Sequence, residues 1–352
     1  MFERSVSRSF IALALLGVLG GLPLGCGGLD AGGSEGSTSP DSVAAETTPD
    51  QPMDSSKDLA SEVWGLESIA RYDALDPNTE IRTPNGVTSR RCQSYVAEGE
   101  VFLADGRIQG VNGAIRDGSS NCNHSVSKVS PMVAGVSAPV PTTNGWVVAS
   151  TWDTPPFKPR RIVSRFVVPS DPTTASNQLL YFFSSIQGGG WIVQPVLQYG
   201  NNGAFGGKYW VISSWAVGPD GKGGNSKPVR VYPGDVLYGD TSGTTCYSNG
   251  SCHWKIVTKN STRGTSTTFT TGNLVPMGTV QASAMEAYGL TSCKQYPASK
   301  SITFSGVSVF DQNNQWQRVP WGTVGWAAEP NCKARGSATN LTQPGTATIN
   351  WN

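Results

Sequence analysis

The sequence predicts an all-β fold, an antiparallel double-sheet β-sandwich preceded by a small N-terminal region. Three observations carry that reading. The chain has 42 Gly and 23 Pro among 352 residues, with abundant Ser, Thr and Trp, which describes a turn-rich β protein. From Asn144 onward, β-rich runs alternate with turn residues, and sheets packed face to face are the simplest way to bury them. Only 14% of residues are charged, and a single stretch has convincing helical spacing.

Residues 1–25 read as a signal peptide. Basic residues at Arg4 and Arg8 precede an uncharged, apolar or small stretch from Phe10 to Leu24. That stretch falls short of the roughly 20 residues a bilayer-spanning helix needs, and no later one is longer. The chain is therefore expected to be exported without spanning a membrane. The run Leu22-Pro23-Leu24-Gly25-Cys26 resembles a bacterial lipoprotein processing site, with Pro23 where Leu is usual. Cys26 is the expected lipidation site, and cleavage by an ordinary signal peptidase is the alternative. Gly27 after that cysteine implies an outer-membrane-anchored lipoprotein in a Gram-negative cell, or else a secreted protein.

Residues 26–54 hold the lipidated cysteine and a Gly-, Ser-, Thr- and Pro-rich segment without any aromatic, read as a flexible tether. Residues 55–140 read as a pro-segment or accessory region. Ser55 or Ser56 caps a predicted helix in which Leu59, Val63, Trp64, Leu66 and Ile69 recur at helical spacing before Pro77. A short strand is expected at Glu100-Val-Phe-Leu-Ala104.

The sandwich is assigned to residues 141–352. Its expected strands are Trp146–Trp152, Arg161–Pro169, Leu179–Ile186, Trp191–Tyr199, Lys208–Val217, Val229–Tyr238, His253–Thr258, Ser266–Thr271, Ser283–Leu290 and Ile302–Phe310. Pro233-Gly234-Asp235 suits a type II turn. Setting Cys26 aside leaves six cysteines, which suits three bridges in an oxidising compartment. Loop-closure entropy favours near neighbours, hence Cys92–Cys122, Cys246–Cys252 and Cys293–Cys332.

The residue inventory removes most hydrolytic chemistries. From Pro141 onward the carboxylates are Asp153, Asp171, Asp220, Asp235, Asp240, Glu286, Asp311 and Glu329, and the only histidine is His253. His253 lies between Cys252 and Trp254, and no GxSxG accompanies it from Pro141 onward, which argues against a Ser-His-Asp or Cys-His site. A catalytic zinc needs three protein ligands, and the whole chain holds only His124 and His253 as histidines. No expected strand carries the two acids of a sandwich glycosidase, and no phosphate-binding glycine loop is present. A formal net charge of +1 leaves no basic field for nucleic acid.

What remains lies on two strands. Alternation along Trp191–Tyr199 places Gln194, Val196 and Gln198 on one face and Val193 and Leu197 on the other. Pro195 cannot donate to a ladder, so this run is expected to be an edge or bulged strand. Along Ser283–Leu290, Ala284, Glu286 and Tyr288 share a face, and a partly desolvated Glu286 would acquire a raised pKa suited to proton transfer.

The order Arg161…Phe166-Val-Val-Pro169, Tyr181-Phe-Phe-Ser-Ser-Ile-Gln187, Val196-Leu-Gln-Tyr-Gly200, Tyr209…Trp215, Pro233-Gly-Asp-Val236, Ala284-Met-Glu-Ala-Tyr288 and Phe304…Val309 resembles the eqolisin glutamic peptidases over about residues 145–311. The resemblance implies a concanavalin A-like jelly roll with the catalytic pair Gln198 and Glu286. It further implies a substrate cleft that includes Phe183, Gln194, Tyr209 and Trp215. Glu286 would activate water and then protonate the leaving amine, with the Gln198 amide on the oxyanion and neither metal nor cofactor involved. Phe183 stands where the family's cleft has Trp, Ser214 stands where an acid precedes Trp215, and the near-neutral charge departs from the acid-secreted members. Neprosin-type glutamic peptidases are a related possibility, but they use two glutamates where the first position here is glutamine.

The expected partner is a polypeptide substrate met by a monomer, with membrane contact through the lipid alone. A rival reading is a carbohydrate-binding sandwich in which Trp191, Tyr199, Tyr209, Trp210 and Trp215 stack on sugar rings. A third is a purely structural envelope lipoprotein.

Overall fold

A computed structural model describes residues 65–122, 145–325, 331–339 and 344–352. The signal peptide, Cys26, the tether and the start of the expected helix lie outside the described residues. The strands in chain order are β1 (Glu80–Thr83), β2 (Gly86–Ser89), β3 (Gln93–Tyr95), β4 (Val101–Phe102), β5 (Ile108–Gln109), β6 (Ile115–Arg116), β7 (Gly145–Trp152), β8 (Pro159–Val167), β9 (Leu179–Gly188), β10 (Trp191–Asn201) and β11 (Gly206–Val217). They continue with β12 (Gly223–Asn225), β13 (Val229–Val231), β14 (Val236–Cys246), β15 (Cys252–Asn260), β16 (Thr265–Leu274), β17 (Thr279–Tyr288), β18 (Ser301–Asp311), β19 (Trp316–Gln317), β20 (Gly322–Gly325), β21 (Arg335–Ala338) and β22 (Gly345–Asn350).

Two sheets form the sandwich. One has nine strands in the order β20-β7-β17-β9-β10-β11-β12-β3, with β13 also on β11. The other has eleven, in the order β21-β22-β18-β8-β14-β15-β16-β4-β5-β6, with β19 on β18. Short strands from the N-terminal region thus extend both sheets, β3 running parallel to β12 and β4 parallel to β16. The inter-sheet core joins Leu180, Phe182, Val193, Leu197, Trp210 and Met285 of the first sheet to Ile162, Phe166, Leu237, Trp254, Ile256 and Phe269 of the second.

The two sheets differ in what faces away from that core. In β14 and β15 buried and less buried residues alternate, the pattern of a sheet with one solvated face. In β9, β10 and β17 nearly every residue is buried, so both faces are covered. The cover on the outer face is the β1–β2 hairpin together with the turn between β10 and β11. A second apolar cluster lies beneath it, including Tyr181, Phe183, Val196, Phe205, Trp215, Ala284 and Tyr288, with Val87 of the hairpin packed against it.

Several expectations change. β10 is an interior strand, paired with both β9 and β11. Pro195 is accommodated because its ring points at Gly239 of the opposite sheet, where a side chain would overlap it, and the pairing with β9 passes from Val193 to Val196. The irregularity in β10 falls instead between Tyr199 and Gly200. The expected strand Val229–Tyr238 divides at a turn in which the Asp235 N–H donates to the Tyr232 carbonyl at 3.0 Å. The three disulfides are Cys92–Cys122, Cys246–Cys252 and Cys293–Cys332.

The helix is present over the described residues 65–73, but its buried positions are Gly65, Ser68 and Tyr72, whereas Leu66 is 58% exposed. The inward stripe is rotated from the one that apolar spacing suggests, because Arg90 stacks on the Tyr72 ring at 3.9 Å and draws that face inward. Leu66→Ser should therefore change unfolding free energy by less than about 0.5 kcal/mol, as a urea titration would show.

Candidate active site

The outer face of the nine-stranded sheet is built from alternate residues of β9, β10 and β17. Strand pairing sets Gln198 opposite Tyr181, and Tyr181 opposite Glu286. The three side chains therefore form one row across three neighbouring strands, with Tyr181 in the middle. Strands lie about 4.8 Å apart, which places the Gln198 and Glu286 backbones about 10 Å from each other. The two expected catalytic residues share a face and are not hydrogen-bonded to each other.

Gln198 serves its own turn. Its Nε2 donates to the Gly200 carbonyl at 2.8 Å and the Phe205 carbonyl at 3.2 Å, while Asn202 Nδ2 donates to its Oε1 at 3.4 Å. Asn202 also caps this loop by accepting from the N–H groups of Ala204 and Phe205, both at 2.8 Å. Both amide hydrogens of Gln198 are thus in use. Withdrawing them would take this donor from the Gly200 carbonyl, at about 1–3 kcal/mol if it is left unpaired, while the Phe205 carbonyl would keep the Asn202 N–H at 3.1 Å.

Glu286 is fully buried. Tyr288 Oη donates to its Oε2 at 2.6 Å, and its Oε1 has no partner. Burial raises its pKa to about 8 against the opposing effect of the Tyr288 hydrogen bond. Glu286 is therefore a mostly protonated carboxyl at neutral pH. Tyr181 and Tyr288 are raised well above the ordinary tyrosine range, mainly by burial. They remain hydroxyl donors throughout.

Sequence reasoning left the segment over this row undetermined. The hairpin runs across it, and three consecutive backbone carbonyls meet three side-chain donors of the face. Tyr181 Oη donates to the Arg82 carbonyl at 2.6 Å, Tyr288 Oη lies 3.3 Å from the Thr83 carbonyl oxygen, and Gln194 Nε2 donates to the Pro84 carbonyl at 2.8 Å. The Arg82 N–H in turn donates to the Asn202 carbonyl at 2.8 Å. The Tyr288 hydroxyl has one hydrogen to share between Glu286 and Thr83, so a charged carboxylate claims it and a protonated one frees it. The sequence does carry a signal for this element: Asn85-Gly86 between Ile81-Arg82-Thr83 and Val87-Thr88-Ser89 is strong hairpin chemistry.

The remaining expected cleft residues are placed as follows. Phe183 is buried on the outer face, with its ring edge-on to Trp146 at 5.5 Å. Gln194 contacts the hairpin. Trp215 is buried beneath Phe205, ring centroids 5.9 Å apart, and its Nε1 donates to Ser213 Oγ at 2.6 Å. Tyr209 is half-buried under the Arg230 guanidinium at 4.2 Å. Trp191, Tyr199 and Trp210 belong to the inter-sheet core, which removes most of the platform that sugar stacking requires. A cavity of about 480 Å³ opens beside the hairpin, lined by Glu80, Arg82, Tyr199, Asn202 and Lys208 among others.

Neither a family model nor a curated protein matches the chain. Among solved structures it is similar to scytalido-glutamic peptidase with a peptide-based transition-state analogue, at 13% identity and a TM-score of 0.43, over 60% of this chain and 98% of that one. The resemblance to the eqolisins is distant. It extends to SCP-B, an eqolisin-family peptidase in complex with the tripeptide Ala-Ile-His, at 12% identity and a TM-score of 0.40, again over 60% and 98% of the two chains. A further structure of scytalido-glutamic peptidase, with a transition-state analogue inhibitor, stands at 14% identity and a TM-score of 0.41.

Proposed function

We propose that this chain is an exported, lipid-anchored peptidase in which Glu286 activates water, and that residues 55–140 act as a pro-segment whose hairpin fills the site. The observation that carries the reading is the run of carbonyls at Arg82, Thr83 and Pro84 received by Tyr181, Tyr288 and Gln194 beside a buried carboxyl. A face that takes up successive main-chain carbonyls in this way recognises polypeptide, whatever the side chains.

The chemistry follows from the environment of Glu286. As a carboxylate it would take a proton from water, and as a carboxyl it would return that proton to the departing amine, with no covalent intermediate. The hairpin opposes the first step twice, by occupying the face and by excluding the water that would stabilise the charged form. Its removal would bring the Glu286 pKa down toward the ordinary carboxylate range.

The test is hydrolysis of a denatured protein by the full chain, with and without limited trypsin treatment, across about pH 3 to 8, a range that brackets the reference carboxylate and histidine pKa values. Wild type should hydrolyse it and Glu286→Gln should lose at least about a thousandfold in rate while keeping its fold, the scale reached when an essential proton-transfer group is removed. Equal activity in the two proteins would end the proposal.

A further inference from the structure

Of the three donors on the covered face, Tyr181 and Gln194 each hold a hairpin carbonyl. The Tyr288 hydroxyl instead stands between a carbonyl and the buried carboxyl, 3.3 Å from the Thr83 oxygen and 2.6 Å from Glu286 Oε2. We infer that Tyr288 is a positioning residue of this site, whose hydroxyl passes from Glu286 to a main-chain carbonyl of the substrate when that carbonyl binds. Resting on the peptidase reading above, this role leaves Gln198 and Glu286 as the expected pair.

Tyr288 and Glu286 are two residues apart on β17 and project from the same face. Both are buried, so the hydroxyl meets these oxygens rather than bulk water, while the Gly86 backbone N–H faces its oxygen. It has one hydrogen to give. At 2.6 Å the bond to Glu286 is short, whereas at 3.3 Å the Thr83 oxygen stands just beyond the usual O–H···O range. A carboxylate at Glu286 therefore holds the hydrogen, and neutralising it releases the hydroxyl to the carbonyl. The other titratable group beside Glu286 is Tyr181 of β9, which stays a neutral hydroxyl. On the other side β7 sets Trp146 opposite Glu286, and the Arg82 guanidinium of the hairpin bears on Tyr181. Tyr288 is the side chain that hydrogen-bonds the carboxyl.

In the open site Tyr288 would hold Glu286 as a carboxylate, ready to receive a proton. A substrate carbonyl arriving where the Thr83 oxygen now lies draws the hydrogen away. The carboxylate then becomes a stronger base at the moment it must deprotonate water. Tyr288 keeps its proton throughout, and only the acceptor of its hydrogen bond changes. The coupling is reciprocal, since protonating Glu286 strengthens the hold on the carbonyl by the same factor.

The experiment follows kcat/KM and kcat against pH for hydrolysis of a labelled denatured protein by wild type, Tyr288→Phe and Tyr181→Phe. Each is the full chain after limited trypsin treatment, with its melting temperature recorded. The first parameter reports groups of the free enzyme and the second those of the bound one. In wild type the rising limb set by Glu286 should lie about one pH unit higher in kcat than in kcat/KM. That is a tenfold change in proton affinity, the scale on which one hydrogen bond to a charged group acts. Tyr288→Phe keeps the ring and should melt near wild type. It should lift the kcat/KM limb by about one unit and leave the kcat limb in place, so that the two coincide. Tyr181→Phe removes a hydroxyl that holds a carbonyl without a hydrogen bond to Glu286, and should preserve the separation. A purely structural Tyr288 would lower both parameters and move neither limb. Coincident limbs in wild type, or an unmoved kcat/KM limb in Tyr288→Phe, would overturn the assignment alone, and the wild-type separation reads the exchange whether or not the variant folds. An inactive wild type would overturn the peptidase reading and this assignment with it.

Discussion

Glu286→Gln should be more stable than wild type at pH 9 and similar to it near pH 4, with the difference growing as pH rises through about 8. The Glu286 pKa is raised to about 8 from 4.5, so the folded state binds this proton more tightly than the unfolded chain. Below about pH 4 both states are protonated and nothing is lost. Between the two values the unfolded chain releases the proton while the folded state retains it, and stability falls steadily. Above about 8 the folded protein must hold a buried carboxylate, and the fall levels off. Each tenfold change in proton affinity is worth about 1.4 kcal/mol, so the full penalty is on the order of 5 kcal/mol. Glutamine occupies the same volume without the charge and removes the penalty. Urea unfolding at a series of pH values would check this, and parallel pH profiles for the two proteins would contradict it.

Gly206→Ala should cost more than about 3 kcal/mol, read as a shift in urea midpoint or melting temperature. Gly206 has φ of +98°, which side chains rarely adopt. A Cβ there would sit 2.1 Å from the Gly200 carbonyl oxygen and 2.5 Å from Gln198 Nε2. Neither neighbour can yield cheaply, since one is backbone and the other is fixed by two hydrogen bonds. Backbone strain alone is worth about 1–3 kcal/mol, and the overlap adds the loss of the Gln198 bonds. Because the turn is separated from Glu286 by Tyr181, the substitution should leave the pH profile of stability with its wild-type form while lowering it throughout.

Much of this architecture was legible in the sequence. Period-2 alternation placed Gln194, Val196 and Gln198 on one face of β10, and Ala284, Glu286 and Tyr288 on one face of β17, because a half-turn per residue is a local property of the chain. Short loop closure identified the three cysteine pairs for the same reason. Of the two alternatives for β10, edge or bulged, the edge one failed, because a proline's missing donor also fits an interior strand where the ladder is interrupted and a glycine faces the ring, while the strand does carry an irregularity, between Tyr199 and Gly200. The middle position of Tyr181 was not legible either, since strand neighbours brought together by long-range pairing leave no trace in local pattern. Nor was the commitment of Gln198 to Gly200 and Phe205, which depends on how one turn closes. The hairpin was announced by Asn85-Gly86, but nothing local says which surface a hairpin will cover.

The pattern of disulfides bears on how that cover could come off. Cys92–Cys122 lies wholly before Gly145, and Cys246–Cys252 and Cys293–Cys332 wholly after it, so among the described bridges none ties the hairpin to the sheet it covers. The backbone between Cys122 and Gly145 is the single covalent connection. While it is intact, the hairpin is presented to the face at an effective concentration on the millimolar scale, as for any tethered ligand. One break in that connection would turn the same contacts into an ordinary bimolecular equilibrium, and dilution would then set how long the hairpin stays.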